Sequence, residues 1–526
     1  MKGMLPVPKP TSYTTPGVYI TELSAFPPAI VGVPTAIPIF IGHTEHAQAP
    51  ASLKALYGQA VAVGSLADYM AYFGGAYPQP CDVVPTTADT ADFQATPPSG
   101  QGTAYYAVRP SGPRFNLYRA IQAFYANGGG TCYVVSVADY SQGGVSKDAL
   151  LAGLQAAGTQ VGPTMTVVPD ACLLSDTDYA AVVTTTLTQA AALQDRMAIL
   201  DLPGALNPES WTIDGLAAQR DAFYAAIAPA ADAFRYGAAY APALYTSLVT
   251  TGEVDYTRLW GSAALVRSLL AHEAASLYTG AKLAEVQTRL AAACPDTPPA
   301  QPPSASEISA TNQYLLGVLP LLGKIEAIIA QKLNIAPPSG FAAGIWAETD
   351  TDRGVWVAPA NRPLRCVKAP TILMNNDQQA DYNVPLNGNA INILRVFSGY
   401  APMVGGARTL DGNSNDYRYI QAHRTLIYIE QSIKNALQQS VLAGNDQQTW
   451  VAVTAMISNF LTALWAQGGL VGAKASDAFS VQCGLGSTMT TQDILNGYMI
   501  VSVTLQLVRP AEFIELTFKQ QMQGAG

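Results

Sequence analysis

Short apolar runs alternate with helical stripes along much of this chain. Ala36–Gly42 is a run suited to a buried strand, and Gly64–Gly74 reads as a short helix with Ser65 as its N-cap. Residues 78–104, rich in Pro, Thr, Asp and Gly, read as an exposed loop. Leu117, Ile121, Phe124 and Tyr125 fall at helical spacing, and Asn127–Gly130 ends that helix because Asn and Gly tolerate the left-handed conformation. Strands are then predicted over Cys132–Val137, Thr164–Val168, Met197–Leu202 and Tyr236–Tyr240. Helices over Asp148–Ala157, Asp178–Leu193 and Asp214–Ile227 separate them. This alternation implies a mostly parallel sheet flanked by helices, an α/β fold.

Residues 246–335 break the pattern with helical segments Leu259–Tyr278, Ala281–Ala292 and Thr311–Lys332 around the Pro-rich linker Cys294–Ser304, and read as a helical insertion. Further on, Asp416–Val441 predicts a long helix with Leu426, Ile429, Ile433 and Leu437 on one side. Trp450–Trp465 carries no charge and predicts a buried helix. Met499, Val501, Val503, Leu505 and Leu507 alternate as in a strand. Two more strands lie near the ends of the chain. Val18, Tyr19 and Ile20 follow the turn signal Pro16-Gly17, and Ile514, Leu516 and Phe518 alternate with polar residues. Strands so placed need a sheet to pin them, and another copy of the chain can supply it.

At 526 residues the chain is long enough for two to four domains. A hydrophobic content of 49% with 12% charged residues excludes a largely disordered chain. So few charges fit either a surface covered by neighbours or an Ala-rich globular enzyme. The net charge of −9 argues against nucleic-acid binding. Charge is uneven: residues 139–255 hold thirteen acids against four bases, and residues 353–434 nine bases against five acids. That asymmetry reads either as two faces of opposite sign or as scattered solvated surface. The six cysteines show no C-x-x-C spacing, and Cys132, Cys172 and Cys366 read as buried thiols. Neither a secretory signal nor a membrane span is indicated, so folding in a reducing cytoplasm is expected.

Candidate chemistry is sparse. His43-Thr-Glu-His46 brings two histidines and a carboxylate together, but a turn there would not hold them as metal ligands. Gly317–Lys324 has the wrong glycine spacing for a phosphate loop, with Ile325 where a Ser or Thr would ligate magnesium. Gly484-Leu-Gly486 lacks a third glycine, and no G-x-S-x-G elbow occurs. No catalytic, metal or cofactor site is therefore expected.

Several collinear segments resemble the tail sheath proteins of contractile phages and phage-tail-like injection systems. They are Thr15–Glu22, Phe124–Val135, Pro337–Gly340, Gly344–Asp350 and Arg353–Asn361, followed by Leu386–Asn392, Gly406–Leu410, Tyr417–Ile420, Ile429–Ile433 and Arg509–Phe513. Gly405 stands where that family usually has Trp, and Leu442–Asn445 replaces its usual acidic-Pro-Asn turn. These departures, with Met489–Ile494 and Asn496–Met499, lean towards the injection-system branch.

The resemblance implies a structural subunit and no enzyme. It divides the chain into an N-terminal β arm (1–26), an α/β sheath domain (27–415) and an α+β handshake-type domain (416–526) ending in a second arm from about residue 511. Copies would polymerise around an inner tube protein, with baseplate and terminal cap proteins as further partners and no cofactor. They would assemble in the bacterial cytoplasm as part of a phage tail or a released particle. Arms bearing Val18, Tyr19, Ile20, Ile514, Leu516 and Phe518 would add strands to neighbouring sheets and bend at Pro16-Gly17 and Arg509-Pro510. Contraction would release an extended state trapped at assembly. Arg418, Arg424 and Lys434 are candidate tube contacts, or else pair internally with Asp416 and Glu430. The competing classes are an α/β hydrolase-like enzyme and a fibre or baseplate component.

Overall fold

The structure, a computed structural model, describes residues 29–299, 301, 303–397 and 399–513. The arm residues Val18, Tyr19, Ile20, Ile514, Leu516 and Phe518 lie outside the described residues. Two compact units are present, with one boundary inside the Ile420–Leu437 helix at Ser432.

The larger unit is built on an eight-stranded sheet. Its order is Met403–Val404, Ile391–Arg395, Gly237–Ala241, Met197–Asp201, Met165–Val167, Pro38–Thr44, Cys132–Asp139 and Ala60–Val63. The inner pairings are parallel and the two outermost antiparallel. All seven residues of Pro38–Thr44 are buried, as a strand covered on both faces requires. Phe40 enters the core that holds the Leu117–Ala126 and Ser339–Arg353 helices. Ile39 and Ile41 enter the opposite core with Leu154, Val183 and Phe223. Successive residues of the apolar run therefore face two different helical layers.

Close helix packing explains two glycines of the family-like segments. A Cβ at Gly340 would stand 2.6 Å from Ala120 O, and one at Gly344 would stand 2.8 Å from Phe124 O. Any side chain there would force the Ser339–Arg353 and Leu117–Ala126 helices apart.

Three expectations are corrected. Residues 78–104 are not one loop: Cys81–Pro85, Phe93–Ala95 and Ala104–Pro110 form an antiparallel sheet. Turn-forming residues dominate the local composition, but Cys81, Val83, Phe93, Tyr106 and Val108 point inward and share a core with the helices of residues 263–333. The inserted block is thus a small α+β body. Secondly, Thr311–Lys332 is two helices, Ala305–Val318 and Pro320–Leu333, bent by 119° where Pro320 starts the second.

Thirdly, the Gln447–Ala466 helix of the smaller unit is only partly covered. Val453, Met456, Ile457, Leu461 and Leu464 are buried, whereas Val451, Ala452, Thr462 and Ala463 face outward. Small uncharged residues populate that outer face, so an uncharged segment need not be an enclosed one. Its length and mean hydropathy of 1.3 would also suit a membrane crossing, although the buried residues form a one-sided packing stripe. This unit also holds a two-stranded antiparallel sheet, Phe479–Gln482 with Ser502–Leu505.

Candidate functional site around Glu512

Four of the collinear segments meet around one carboxylate. Asn392, on an inner strand of the large sheet, donates Nδ2 to Arg408 O and accepts from Arg408 N, both at 2.8 Å. Gly406 lets this backbone approach, since a Cβ there would lie 2.8 Å from Asn392 Oδ1. Arg408 bridges antiparallel to Tyr419, and Thr409 donates Oγ1 to Tyr417 O at 2.7 Å. These bonds fix the Arg408 guanidinium, which is 5% exposed.

Glu512 completes the site. It accepts from Arg408 Nε at 2.9 Å and Nη2 at 2.6 Å, from Asn383 Nδ2 at 2.8 Å and from Tyr419 Oη at 3.0 Å. Burial pushes this carboxyl up, but the Arg408 and Asn383 hydrogen bonds and the Arg408 charge outweigh it and hold it below the usual glutamate range. The chain is therefore fastened two residues past Pro510. Arg509 adds an exposed 3.5 Å pair with Asp416, a contact of little energetic weight. Phe513, the next residue, is exposed.

Gly405, where the resemblance expects Trp, is constrained by its surroundings. A Cβ there would lie 2.9 Å from Ile393 O, and the residue's own N–H donates to that oxygen at 2.8 Å. This backbone leaves no room for a side chain in that direction.

The three candidate tube contacts separate. Arg424 is buried, with Nη1 and Nη2 on the two oxygens of Asp350 at 2.8 and 2.6 Å and Nη2 also on Thr35 O at 2.9 Å. Its guanidinium lies 4.6 Å from the Trp346 ring, and Trp346 donates to Tyr240 Oη at 2.7 Å. Arg424 is thus corrected to a structural cation of the α/β body, and its partner is Asp350 rather than Asp416 or Glu430. Arg418 is half-buried, donating to Gly412 O and Asn415 Oδ1. Lys434 is exposed.

The histidine segment disperses. His43 sits in the strand Pro38–Thr44 beside Asp170, with Nδ1 3.4 Å from Oδ2, while Glu45 accepts from Gly75 N at 2.6 Å. Among the described residues no group of three or more His, Cys, Asp or Glu could hold a metal. His423 is pushed down to about 3 by burial and then by Arg235, and its ring packs edge-on against Tyr236 and Tyr417. Cys132 and Cys172 are buried, but Cys366 is exposed, contrary to expectation, at a positive φ of 60°.

The sequence marks the segments that meet at Glu512 but not the contact itself. Arg408 and Glu512 are 104 residues apart, and no local period links them.

Residues 413–521 match the family model of the phage tail sheath C-terminal domain. The chain is 27% identical over 139 residues to a protein named putative prophage major tail sheath protein in Pseudomonas aeruginosa strain UCBPP-PA14, covering 26% of this chain and 35% of that one. It is 30% identical over 153 residues to the tail sheath protein of Burkholderia phage BcepMu, covering 27% and 31%. The matched stretches thus span about a third of these curated relatives. A solved structure, the PVC sheath complex of an extracellular contractile injection system in its contracted state, is similar over 97% of this chain and 99% of that one. Its TM-score is 0.56 and its identity 25%.

Proposed function

We propose that this chain, which belongs to the contractile tail sheath proteins, polymerises around an inner tube and contracts to drive that tube through a target envelope. The single observation that carries the reading is the likeness to a contracted sheath subunit over 97% of the chain. A structural role, with no catalysis, follows from the same relatives.

The arm root supports the reading at the level of residues. A strand lent to a neighbour transmits load only if its base is fastened to its own body, and the Glu512–Arg408 clamp does this. The two-stranded sheet Phe479–Gln482/Ser502–Leu505 is a suitable receiver. Two strands alone are marginal in water, and among the described residues neither outer edge of that sheet is paired in a ladder. Arms from neighbouring copies would complete it by main-chain pairing, with alternate side chains setting register. Because Glu512 is held, Arg509-Pro510 is fastened to its own body in this reading and does not serve as a hinge.

Assembly on the tube would trap an extended lattice, and firing would release a better-packed one. Baseplate and cap proteins would close the ends of a phage-tail or injection particle assembled in the cytoplasm. Arg418 and Lys434 remain the candidate tube contacts. If Arg418→Glu with Lys434→Glu leaves tube-templated extended assembly unchanged, the tube faces another surface. The function itself is tested by electron microscopy of the purified chain with its tube protein. Regular helical tubes are expected, and discrete particles at every concentration would contradict it.

A further inference from the structure

A cavity of about 410 Å³ opens in the larger unit. One of its walls, Phe115, packs its ring 5.0 Å from that of His43 near the carboxyl end of the strand Pro38–Thr44. That strand has Cys132–Asp139 on one side and Met165–Val167 on the other, so the order of strands reverses there. The cavity walls include Phe115, Asn116 and Tyr118 from the start of the Leu117–Ala126 helix, and Leu206, Pro208 and Trp211 from the segment after Met197–Asp201. In open α/β sheets the crevice at such a reversal, outside the carboxyl ends of the strands, is where small molecules bind. The volume suits a small organic molecule rather than a lone ion.

The charge of the lining is one-sided. Arg114, Arg119 and Lys332 face the cavity and no carboxylate lines it, in a chain whose net charge is −9. Two of these cations are already neutralised: Arg119 pairs with Glu253 and Lys332 with Asp92, both at 2.8 Å. Arg114 has no ion pair among the described residues and donates Nη2 only to the Ile335 carbonyl. Arg258 does not line the cavity but shares Glu253 with Arg119, donating Nη2 to Glu253 O at 3.2 Å, while its Nε and Nη1 are buried without partners among the described residues. Burial pulls both Arg114 and Arg258 below the ordinary guanidinium range, in Arg258 against the opposing charge of Asp255. A guanidinium offers paired donors that fit a phosphate or carboxylate.

Aromatic rings supply the remaining chemistry. Tyr77 and Phe115 meet edge to face at 5.1 Å, and Trp211 is fixed by its Nε1 bond to Ala205 O at 3.1 Å. We propose that this cavity binds a small aromatic anion, a phosphate monoester or a carboxylate, with Arg114 as its charge partner and Trp211 and Phe115 as its apolar walls. The site lies wholly within one unit and does not depend on the sheath reading.

Titration calorimetry of the full chain with phenyl phosphate, benzoate and inorganic phosphate tests this. Saturable binding of phenyl phosphate or benzoate is expected, at least about tenfold tighter than inorganic phosphate, and the stronger of the two identifies the head group. Arg114→Gln should weaken it at least about tenfold while leaving the circular dichroism unchanged. As a second readout, the ligand-induced change in tryptophan fluorescence should vanish in Trp211→Phe. The proposal is overturned if neither aromatic probe binds at about 10 mM. It is equally overturned if Arg114→Gln binds as the parent does, or if Trp211→Phe keeps the fluorescence change.

Discussion

Glu512→Gln isolates the charge at the Arg408–Glu512 clamp with little change of shape. The parent carboxylate accepts four hydrogen bonds, two of them from an Arg408 side chain that is 5% exposed, and its own side chain is 19% exposed. Breaking a fully buried pair costs about 3–5 kcal/mol, because the surviving charge loses its counter-ion. The partial exposure of Glu512 reduces that to about 2–4 kcal/mol. Urea unfolding, followed by tryptophan fluorescence, should therefore show a loss of this size. Arg408→Gln alone should cost a similar amount, and the double variant much less than the sum, giving a coupling of about 2 kcal/mol. The pH response carries a sign. A carboxyl held below its ordinary value stabilises the fold above the unfolded-state pKa and loses that contribution as pH falls through the folded one. The parent should thus lose the coupling on acidification, and Glu512→Gln should lack that step. A coupling under about 0.5 kcal/mol near neutral pH would refute the clamp.

Arg424→Gln should lower stability by about 3–5 kcal/mol, seen as a fall in Tm, since it strands Asp350 at 2% exposure; an unchanged Tm would remove Arg424 from the structural core. Asp201 accepts from Ser339 N at 2.8 Å and Oγ at 2.5 Å, and burial raises its carboxyl to about 7. Because the folded value lies above the unfolded one, its contribution is complete below about pH 4 and is lost as pH rises through 7, by at most about 1.4 kcal/mol per unit. Asp201→Asn, which mimics the protonated acid, should flatten that part of the stability profile; an identical profile would show that Asp201 is ionised throughout. Gly340→Ala places a Cβ 2.6 Å from Ala120 O and should cost about 1–3 kcal/mol in urea unfolding, whereas a neutral effect would contradict the close helix packing.

Short apolar runs alternating with helical stripes are enough to read the α/β body. Ile39, Phe40 and Ile41 alternate between two cores, and Leu117, Ile121 and Phe124 form one buried stripe. Where the sequence reading failed, tertiary partners had overridden local composition. Residues 78–104 look like turns until Val83, Phe93 and Tyr106 find the inserted helices. Nothing near Arg424 points to Asp350, 74 residues away, and the sequence offers only a tube-facing surface or the nearby Asp416 and Glu430 instead. The Glu512 site is half legible, because the segments holding Arg408, Tyr419 and Glu512 can be marked while their meeting depends on the folded sheet. Its cause, a buried guanidinium needing a counter-ion, appears only when the distances are known.

The central claim is that copies of this chain are joined through their two arms. Electron microscopy of the purified protein measures it most directly, comparing the full chain with variants lacking residues 1–22 or 514–526. The full chain should form tubes, while each truncated chain should stay folded by circular dichroism yet form none. Tubes that persist at the same abundance without the arms would contradict the account.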